Sequence, residues 1–300
     1  MPDRSQDFVP EVMEAIARTA CRQVGLPADD LQFLRLGQNI LYHLPGPAIV
    51  VRIARDSSYR ADALKEIAVA EWLADEEVPA ARVFDIGREQ PIETGGHPVT
   101  FWHYLPGRTA TGDEASVTAA LLGRLHRLPA PKGIEIPVLH PLARVEHRIH
   151  CAPIPERDKE FLVEETKRLE SQLDDLTYVL PAGVNHGDAH IKNVIVSPSG
   201  TGGLIDFEAV NLAHHEWDLA KTATEAAMGM LPAPAYARFA AEYGYDLMRW
   251  DGFATVCSVM QLRMVTWLAQ NVGHTDAIAD EYSKRMRTLR HGFTENWSGF

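Results

Sequence analysis

One polar segment and the hairpin that follows it constrain the fold of this chain more than any other feature. The segment NHGDAHIKN carries Asp188 and Asn193 in the pattern H-x-D-x-x-x-x-N, and Asp206 stands eighteen residues after Asp188. The intervening VIVSPSGTGGLI is typical of strand, turn and strand. A hairpin of that length would return Asp206 close to Asn193. The sequence therefore predicts that an amide and a carboxylate lie close together at the open end of one hairpin.

The two histidines of this segment leave other interpretations open. His186 and Asp188 would suit a metal-dependent hydrolase, or the polar residues would simply cap strands. A buried His186 bonded to the backbone would hold the shape of the loop, whereas His190 fits either an approach to substrate or a surface position. A second histidine-rich segment, HPLARVEHRIHC, matches no closed zinc site in its spacing and favours an ordinary helix.

The chain changes character about one third of the way along. Its early part is strand-rich, and its later part carries helical patterns such as SVTAALLGRLHRL and DKEFLVEETKRLESQLDDL. We therefore predict an N-terminal domain over 1–104 and a C-terminal domain over 105–300. The early elements predicted from periodicity and turn residues are a helix over 9–24, strands in LQFLRLGQNILYHL and AIVVRIAR, a helix over Ala61–Glu77, and strands in RVFDIGRE and HPVTFWHYL.

Charge and composition narrow the class of partner. The chain has 29 basic and 41 acidic residues, giving a formal net charge of −12, which argues against nucleic acid and against an anionic membrane surface. It contains no apolar run of the roughly 18 residues that a membrane helix needs. The 3 cysteines are far apart and favour a reduced, cytoplasmic location. A negative field also favours a cationic small molecule.

Together, the HGDAHIKN, IDFE and EWDLAK motifs resemble the aminoglycoside phosphotransferase and choline kinase-like family. The resemblance extends from about Leu34 to Ala220. It implies an α+β, bilobal protein-kinase-like fold, with a small antiparallel-sheet N-terminal lobe and a larger, mostly helical C-terminal lobe.

The resemblance also implies roles for individual residues of the reaction centre. Asp188 would be the catalytic residue that orients and deprotonates an acceptor hydroxyl, and Asn193 and Asp206 would bind Mg²⁺. Asp218 would be a buried carboxylate that braces the catalytic loop.

Further positions correspond to the nucleotide site of the family. Arg52 stands where a lysine usually touches the phosphates, and Glu66 would pair with it, although a solvated pair or Glu71 as the rival partner is an alternative. The cofactor-binding residues implied in this way are Arg52, Glu66, Gly37 and Asn39 at the phosphates, and Trp102 and Tyr104 near the adenine.

Several departures separate the chain from protein kinases. HGD replaces HRD, DFE replaces DFG, the GQN loop lacks G-x-G-x-x-G, and no activation segment is visible. The expectation is an enzyme that phosphorylates a small-molecule hydroxyl with ATP or GTP, above all an aminoglycoside or another cationic hydroxylated antibiotic. The alternatives are a metabolic kinase of choline, an amino-alcohol or a sugar, and a nucleotide-binding pseudoenzyme. The chain would act as a monomer or a homodimer.

Overall fold

The computed structural model describes residues 8–293 and 295–299. The strands are β1 (Gln32–Leu36), β2 (Ile40–Leu44), β3 (Ile49–Ile53), β4 (Ile92–Thr94), β5 (His97–His103), β6 (Arg108–Thr109), β7 (Ala182–Asn185), β8 (Val194–Val196), β9 (Gly202–Leu204) and β10 (Asn211–His214). The helices are α1 (Pro10–Gln23), α2 (Arg60–Asp75), α3 (Ala115–Leu125), α4 (Val145–Cys151), α5 (Glu156–Leu173), α6 (Glu216–Ala227), α7 (Ala233–Tyr243), α8 (Phe253–Ala269) and α9 (Asp276–His291).

The chain packs into two compact units. The first unit contains the described part of Met1–Thr109 together with Pro131–Ile136 and Val194–Ala209, and the second contains Ala110–Ala130, Pro137–Asn193 and the described part of Val210–Phe300. The hairpin β8–β9 thus belongs to the strand-rich unit although it lies late in the sequence. A division into domains at residue 104 stays a prediction.

An antiparallel sheet with the strand order β1-β2-β3-β5-β4 forms most of the first unit. Alternate residues of β2 and β3 are buried, which is the period of two that a half-covered strand requires. Helix α1 covers this sheet with Met13, Ala17, Ala20 and Cys21, which share one face of the helix. The core of the unit therefore lies between α1 and the sheet.

The segment RVFDIGRE is not a strand, and that prediction was wrong. The strand paired with β5 at the edge of the sheet is β4, which begins after Pro91. Asp85 accepts a hydrogen bond from the Gly87 amide at 2.7 Å, and Gly87 has a φ of 70°. This side-chain turn interrupts the extended run, and Val83 forms only an isolated bridge to Trp102. Beside this bridge the Phe84 amide donates to the Phe101 carbonyl and the His103 amide donates to the Arg82 carbonyl, each at 2.9 Å.

The hairpin predicted after the catalytic segment is present. Strands β8 and β9 pair antiparallel, with Val194 opposite Leu204. In sequence, Asn193 directly precedes the first of these strands, and Asp206 follows the second by two residues. A third strand, β6, pairs with β8 and completes a small sheet.

The second unit is helical, with one two-stranded ribbon. Helix α8 packs against α4, α5, α6 and α9, and its apolar residues are buried along most of its length. The ribbon joins β7 to β10. The antiparallel sheet of one unit and the helices of the other give the α+β class that the sequence predicts. Within residues 8–293 and 295–299, each helix is too short or too polar to cross a membrane.

Gly107 provides a test of how closely β6 must approach β8. Its φ is 156°, and a β-carbon there would lie 2.3 Å from the carbonyl oxygen of Val196. We expect Gly107→Ala to lower the free energy of unfolding by about 2 kcal/mol, because both the dihedral and the contact are unfavourable. Gly46 has no atom within 4 Å of such a carbon, so Gly46→Ala is the matched control in chemical unfolding. Equal stabilities of the two variants would contradict this prediction.

Candidate active site

The β7–β10 ribbon fixes the start of the predicted catalytic loop, residues 186–193. Strand β7 ends at Asn185, whose side-chain amide donates to the carbonyl of His214 at 3.1 Å. The oxygen of the same side chain accepts from Nδ1 of His215 at 2.7 Å. Asn185 is fully buried, so both of its polar ends are satisfied inside the protein. The residue that follows, His186, therefore leaves the strand in one defined direction.

A buried carboxylate on α6 holds the next two residues of the loop. Asp218 accepts hydrogen bonds from the backbone amides of His186 at 2.6 Å and Gly187 at 2.7 Å. His126 contacts the same carboxylate through Nε2 at 2.9 Å. Burial opposes ionisation, but these partners hold the pKa of Asp218 below its usual range. The loop is thus braced by Asp218, while His186 is buried beside it.

Asp188 directly follows the two residues whose backbone amides Asp218 holds. Its side chain is 46% exposed and lies 3.5 Å from Nζ of Lys221 and 3.6 Å from Nε2 of His190. The amide of Asn193 donates to the Asp188 carbonyl at 3.0 Å and to its carboxylate at 3.3 Å. Burial of the group opposes ionisation, but Lys221 and His190 hold the pKa of Asp188 well below its usual range. It is a carboxylate at neutral pH and can accept a hydrogen bond from a hydroxyl.

A second cluster lies in the first unit, around Arg52. Its guanidinium hydrogen-bonds Glu66 and lies 3.7 Å from Asp206 and 3.6 Å from Glu208. With its amide oxygen facing the guanidinium, Asn39 accepts from Nη2 at 2.6 Å and from Nε at 3.1 Å. Burial would lower the pKa of Arg52, but the carboxylates raise it. The cation is therefore held by several partners at once.

Glu66 is the partner of Arg52 on α2, and Glu71 is exposed. Burial raises the pKa of Glu66 to about 7, against the opposing effect of the Arg52 guanidinium. The carboxylate therefore depends on that cation for its charge at neutral pH. The pairing matches the one that the resemblance implied, with arginine in place of lysine.

Sequence reasoning missed Glu208, Lys221 and His126, which contact the clusters described above. Glu208 accepts a hydrogen bond from the Gln38 side chain, and its carbonyl accepts from Lys65 at 2.5 Å. The only sequence signal was the glutamate of IDFE at the position of the DFG glycine. Lys221 follows Asp218 by three residues on α6, within EWDLAK, but nothing in the sequence ties it to Asp188.

The two predicted metal ligands have chemistry that fits Mg²⁺. Asn193 turns its amide nitrogen toward Asp188, so its oxygen is directed elsewhere. Asp206 has a φ of 70°, a left-handed conformation that aspartate tolerates better than most residues, and its side chain is 39% exposed. An amide oxygen and a partly exposed carboxylate are the hard oxygen donors that Mg²⁺ prefers.

A pocket in the first unit brings together several of the predicted nucleotide-binding residues. Four of them line it: Asn39, Arg52, Glu66 and Trp102. Gly37 lies outside this lining, in the tight turn between β1 and β2, where its amide donates to the Asn39 carbonyl at 2.9 Å.

Backbone amides of the predicted adenine-binding segment, at the end of β5, already donate hydrogen bonds within the first unit. The amide of Tyr104 donates to Ala48 at 2.8 Å, and its ring stacks on His43 with the centroids 4.0 Å apart. The amide of His103 donates to Arg82 at 2.9 Å. A base at this segment would therefore use groups other than these two amides.

Comparison with known proteins places the chain in a family. The model of the phosphotransferase enzyme family matches residues 21–253, which is more than half of the chain. A comparison with curated protein sequences found no significant match. The chain belongs to the phosphotransferase enzyme family. It is thus a small-molecule kinase that uses an alcohol group as acceptor, as predicted.

Solved structures support the kinase-like fold. An amicoumacin kinase in complex with AMP-PNP and Ca²⁺ aligns with a TM-score of 0.72 at 15% identity, over 94% of this chain and 96% of that chain. A microcompartment-associated aminopropanol kinase gives 0.72 at 16%, over 93% and 99%. An aminoglycoside phosphotransferase from Streptomyces rimosus gives 0.60 at 18%, over 84% and 97%. The protein-kinase-like fold predicted from the motifs is confirmed.

The Arg52–Glu66 pair generates a prediction about stability. Arg52→Met leaves Glu66 buried without its cation, so we expect the free energy of unfolding to fall by about 3 kcal/mol. The double variant Arg52→Met/Glu66→Gln should recover part of this loss, because the buried carboxylate is then absent. Chemical unfolding at neutral pH measures both. A double variant no more stable than the single one would show that the pair does not couple.

His215 generates a prediction about pH. Burial and the charge of His126, whose ring centroid lies 3.9 Å from that of His215, lower the pKa of His215 to about 4. An unfolded histidine titrates near pH 6.5, so between about pH 6.5 and 4 the unfolded state binds the extra proton. The free energy of unfolding therefore decreases as the pH is lowered through this range. This group contributes up to about 1.4 kcal/mol per pH unit.

The matched variant for this effect is His215→Asn, whose amide can still donate to Asn185. Its unfolding free energy should fall less between pH 7 and pH 5 than that of the wild type. Urea unfolding at several pH values gives the two slopes, and parallel slopes would contradict the assignment to His215.

Proposed function

We propose that the chain transfers the γ-phosphoryl group of ATP or GTP to a hydroxyl of a small molecule, with Asp188 as the catalytic residue. The observation that carries this proposal is the environment of Asp188. The carboxylate follows a loop whose backbone is held by Asp218, and Asn193 and Lys221 lie against it. A fixed, ionised and partly exposed carboxylate suits the orientation of an attacking hydroxyl.

Asp188 acts on the attacking hydroxyl of the acceptor in the proposed chemical step. The hydroxyl donates its hydrogen bond to the carboxylate, and its oxygen forms a bond to the γ-phosphorus. The bond from that phosphorus to the oxygen bridging it to the β-phosphate breaks, and the hydroxyl proton passes to Asp188. Because the pKa of Asp188 is held low, orientation is its larger contribution and proton transfer comes late in the step.

The nucleotide phosphates are assigned to Arg52. A guanidinium stays charged and offers several donors to phosphate oxygens, so it can replace the lysine usual in the family. Glu66 keeps this cation in place, and Asn39 contacts it from the loop after Gly37. In support, the amicoumacin kinase of similar fold was solved with the nucleotide analogue AMP-PNP and Ca²⁺.

Mg²⁺ is the metal proposed for this nucleotide. Asn193 and Asp206 would hold it through their side-chain oxygens, which fit a hard cation. When bound, the ion neutralises charge on the phosphates. The adenine would meet the segment that ends with Trp102 and Tyr104.

The acceptor is the least constrained part of this proposal. The net charge of −12 favours a cationic compound, and an aminoglycoside or similar antibiotic would then be inactivated. The aminopropanol kinase and choline kinase of similar fold support the alternative of an amino-alcohol. A nucleotide-binding pseudoenzyme would retain the fold without turnover.

Product analysis tests the proposal directly. The protein is incubated with Mg²⁺, ATP or GTP, and a panel of aminoglycosides, amino-alcohols, hydroxy acids and sugars, and products heavier by one phosphoryl group are sought. We expect Asp188→Asn to fold normally and to lower kcat by at least about 100-fold, because a neutral amide orients the hydroxyl less firmly and cannot take its proton. Arg157→Gln, at a side chain that is 80% exposed, is the control. A wild-type kcat in Asp188→Asn would show that Asp188 is not the catalytic residue.

A further inference from the structure

Helix α8 packs against both α4 and α6, and this packing brings basic side chains of the second unit toward the helix that carries Lys221. Arg144 directly precedes α4 and Arg148 lies within it, one turn apart on the same face. The guanidinium of Arg148 reaches the carbonyl of Arg263 on α8 at 3.4 Å, so the two helices bring these arginines together. Lys221 adds a fourth cation, 3.5 Å from Asp188.

These cations repel one another, and Arg148, Lys221 and Arg263 are only partly exposed. Burial, together with the charges of Arg263 and Arg144, lowers the pKa of Arg148 to about 10. The pKa of Arg263 is lowered by burial and by Arg144. The opposing negative charge felt by both Arg148 and Arg263 is that of Asp188. The charge of one carboxylate thus acts on two guanidinium groups and on the ammonium group of Lys221.

The geometry points to an acidic acceptor: we propose that Arg148 and Arg263 bind a carboxylate or phosphate group of the substrate whose hydroxyl meets Asp188. This inference rests on the proposed function and names its substrate class, a small alcohol that carries a negative charge. Guanidinium groups bind both kinds of anion through paired hydrogen bonds. Such an anion supplies the negative charge that the cluster lacks.

The local charge argues against a cationic acceptor, although the whole chain is acidic. Charges more than about 10 Å apart through solvent are screened at ordinary salt, whereas neighbouring and partly buried charges are not. A polyamine antibiotic at Asp188 would contact Lys221 and would also be repelled by the charges of Arg148 and Arg263. The net charge of −12 is therefore a poor guide to this site.

The same anionic chemistry has a second source, the γ-phosphate of the nucleotide. An anion on the acceptor and the γ-phosphate of the nucleotide would affect different Michaelis constants. Cations that bind the acceptor change the KM of the acceptor and its dependence on acceptor charge, whereas cations that bind the γ-phosphate change the KM of the nucleotide.

Matched acceptors provide the first test. Hydroxy acids, hydroxyl-bearing amino acids and sugar acids are each assayed beside their neutral amide or methyl ester, together with amino-alcohols and aminoglycosides. We expect phosphorylation of an acid-bearing member with kcat/KM at least about 30-fold above that of its neutral counterpart. Equal use of both, or a preference for amines, would overturn the inference and leave the kinase assignment standing. No product from any member would overturn the kinase assignment as well.

Charge-removing variants provide the second test. Arg148→Gln and Arg263→Gln should each raise the KM of the acidic acceptor by about 30-fold, with little change in the KM of the nucleotide or in the use of the neutral counterpart. Arg157→Gln removes the same charge from an exposed site and should behave as wild type. A raised KM for the nucleotide alone would assign the cluster to the γ-phosphate instead.

Binding of a simple anion keeps the test independent of the acceptor and of catalysis. With Mg²⁺ and AMP-PNP present at saturation, inorganic phosphate should raise the Tm of the wild type and of Arg157→Gln. It should raise the Tm of Arg148→Gln and Arg263→Gln less. Equal shifts in all four proteins would contradict a built anion site, and the Tm without phosphate shows that each variant is folded.

Discussion

The buried carboxylate of Asp218 is the constraint on which the candidate active site depends. It accepts from two consecutive backbone amides and contacts His126, so three donors converge on one group that burial alone would disfavour. Removing any of these donors leaves an uncompensated charge in the interior, which is costly. The loop therefore has one stable shape, and the position of Asp188 follows from it. Lys221 lies on the same helix, so α6 determines both the backbone and the charge around Asp188.

Arg52 has the corresponding role in the strand-rich unit. It satisfies Glu66 and Asn39 and approaches Asp206 and Glu208. A lysine ammonium has a single nitrogen, whereas a guanidinium presents donors in several directions. This difference explains the glutamate at the position of the DFG glycine, because the guanidinium of Arg52 can pair with one more carboxylate, that of Glu208. The two departures from the usual motifs are thus parts of one arrangement.

Local sequence patterns predicted much of the fold and part of the site. The alternation in β2 and β3, the helical spacing of α1 and the hairpin between Asn193 and Asp206 are local signals, and each appears as expected. RVFDIGRE failed because the turn made by Asp85 competes with extension. His126 and Lys221 could not be found, since their contacts with Asp218 and Asp188 join residues far apart in sequence. The arginines near Asp188 could not be found for the same reason. The overall charge of the chain favours a cationic ligand, whereas these arginines support the anionic acceptor that we propose.

The replacement of lysine by Arg52 also affects how this enzyme can be inhibited. Covalent reagents that acylate an amine beside a nucleotide need a side chain that can lose its proton and act as a nucleophile. A guanidinium does neither under ordinary conditions. The proposed phosphate-binding position of this chain would therefore resist amine-directed modification, while its guanidinium could still bind anions. A compound aimed at it would have to compete through reversible contacts, with the fork of Arg52 as its anchor.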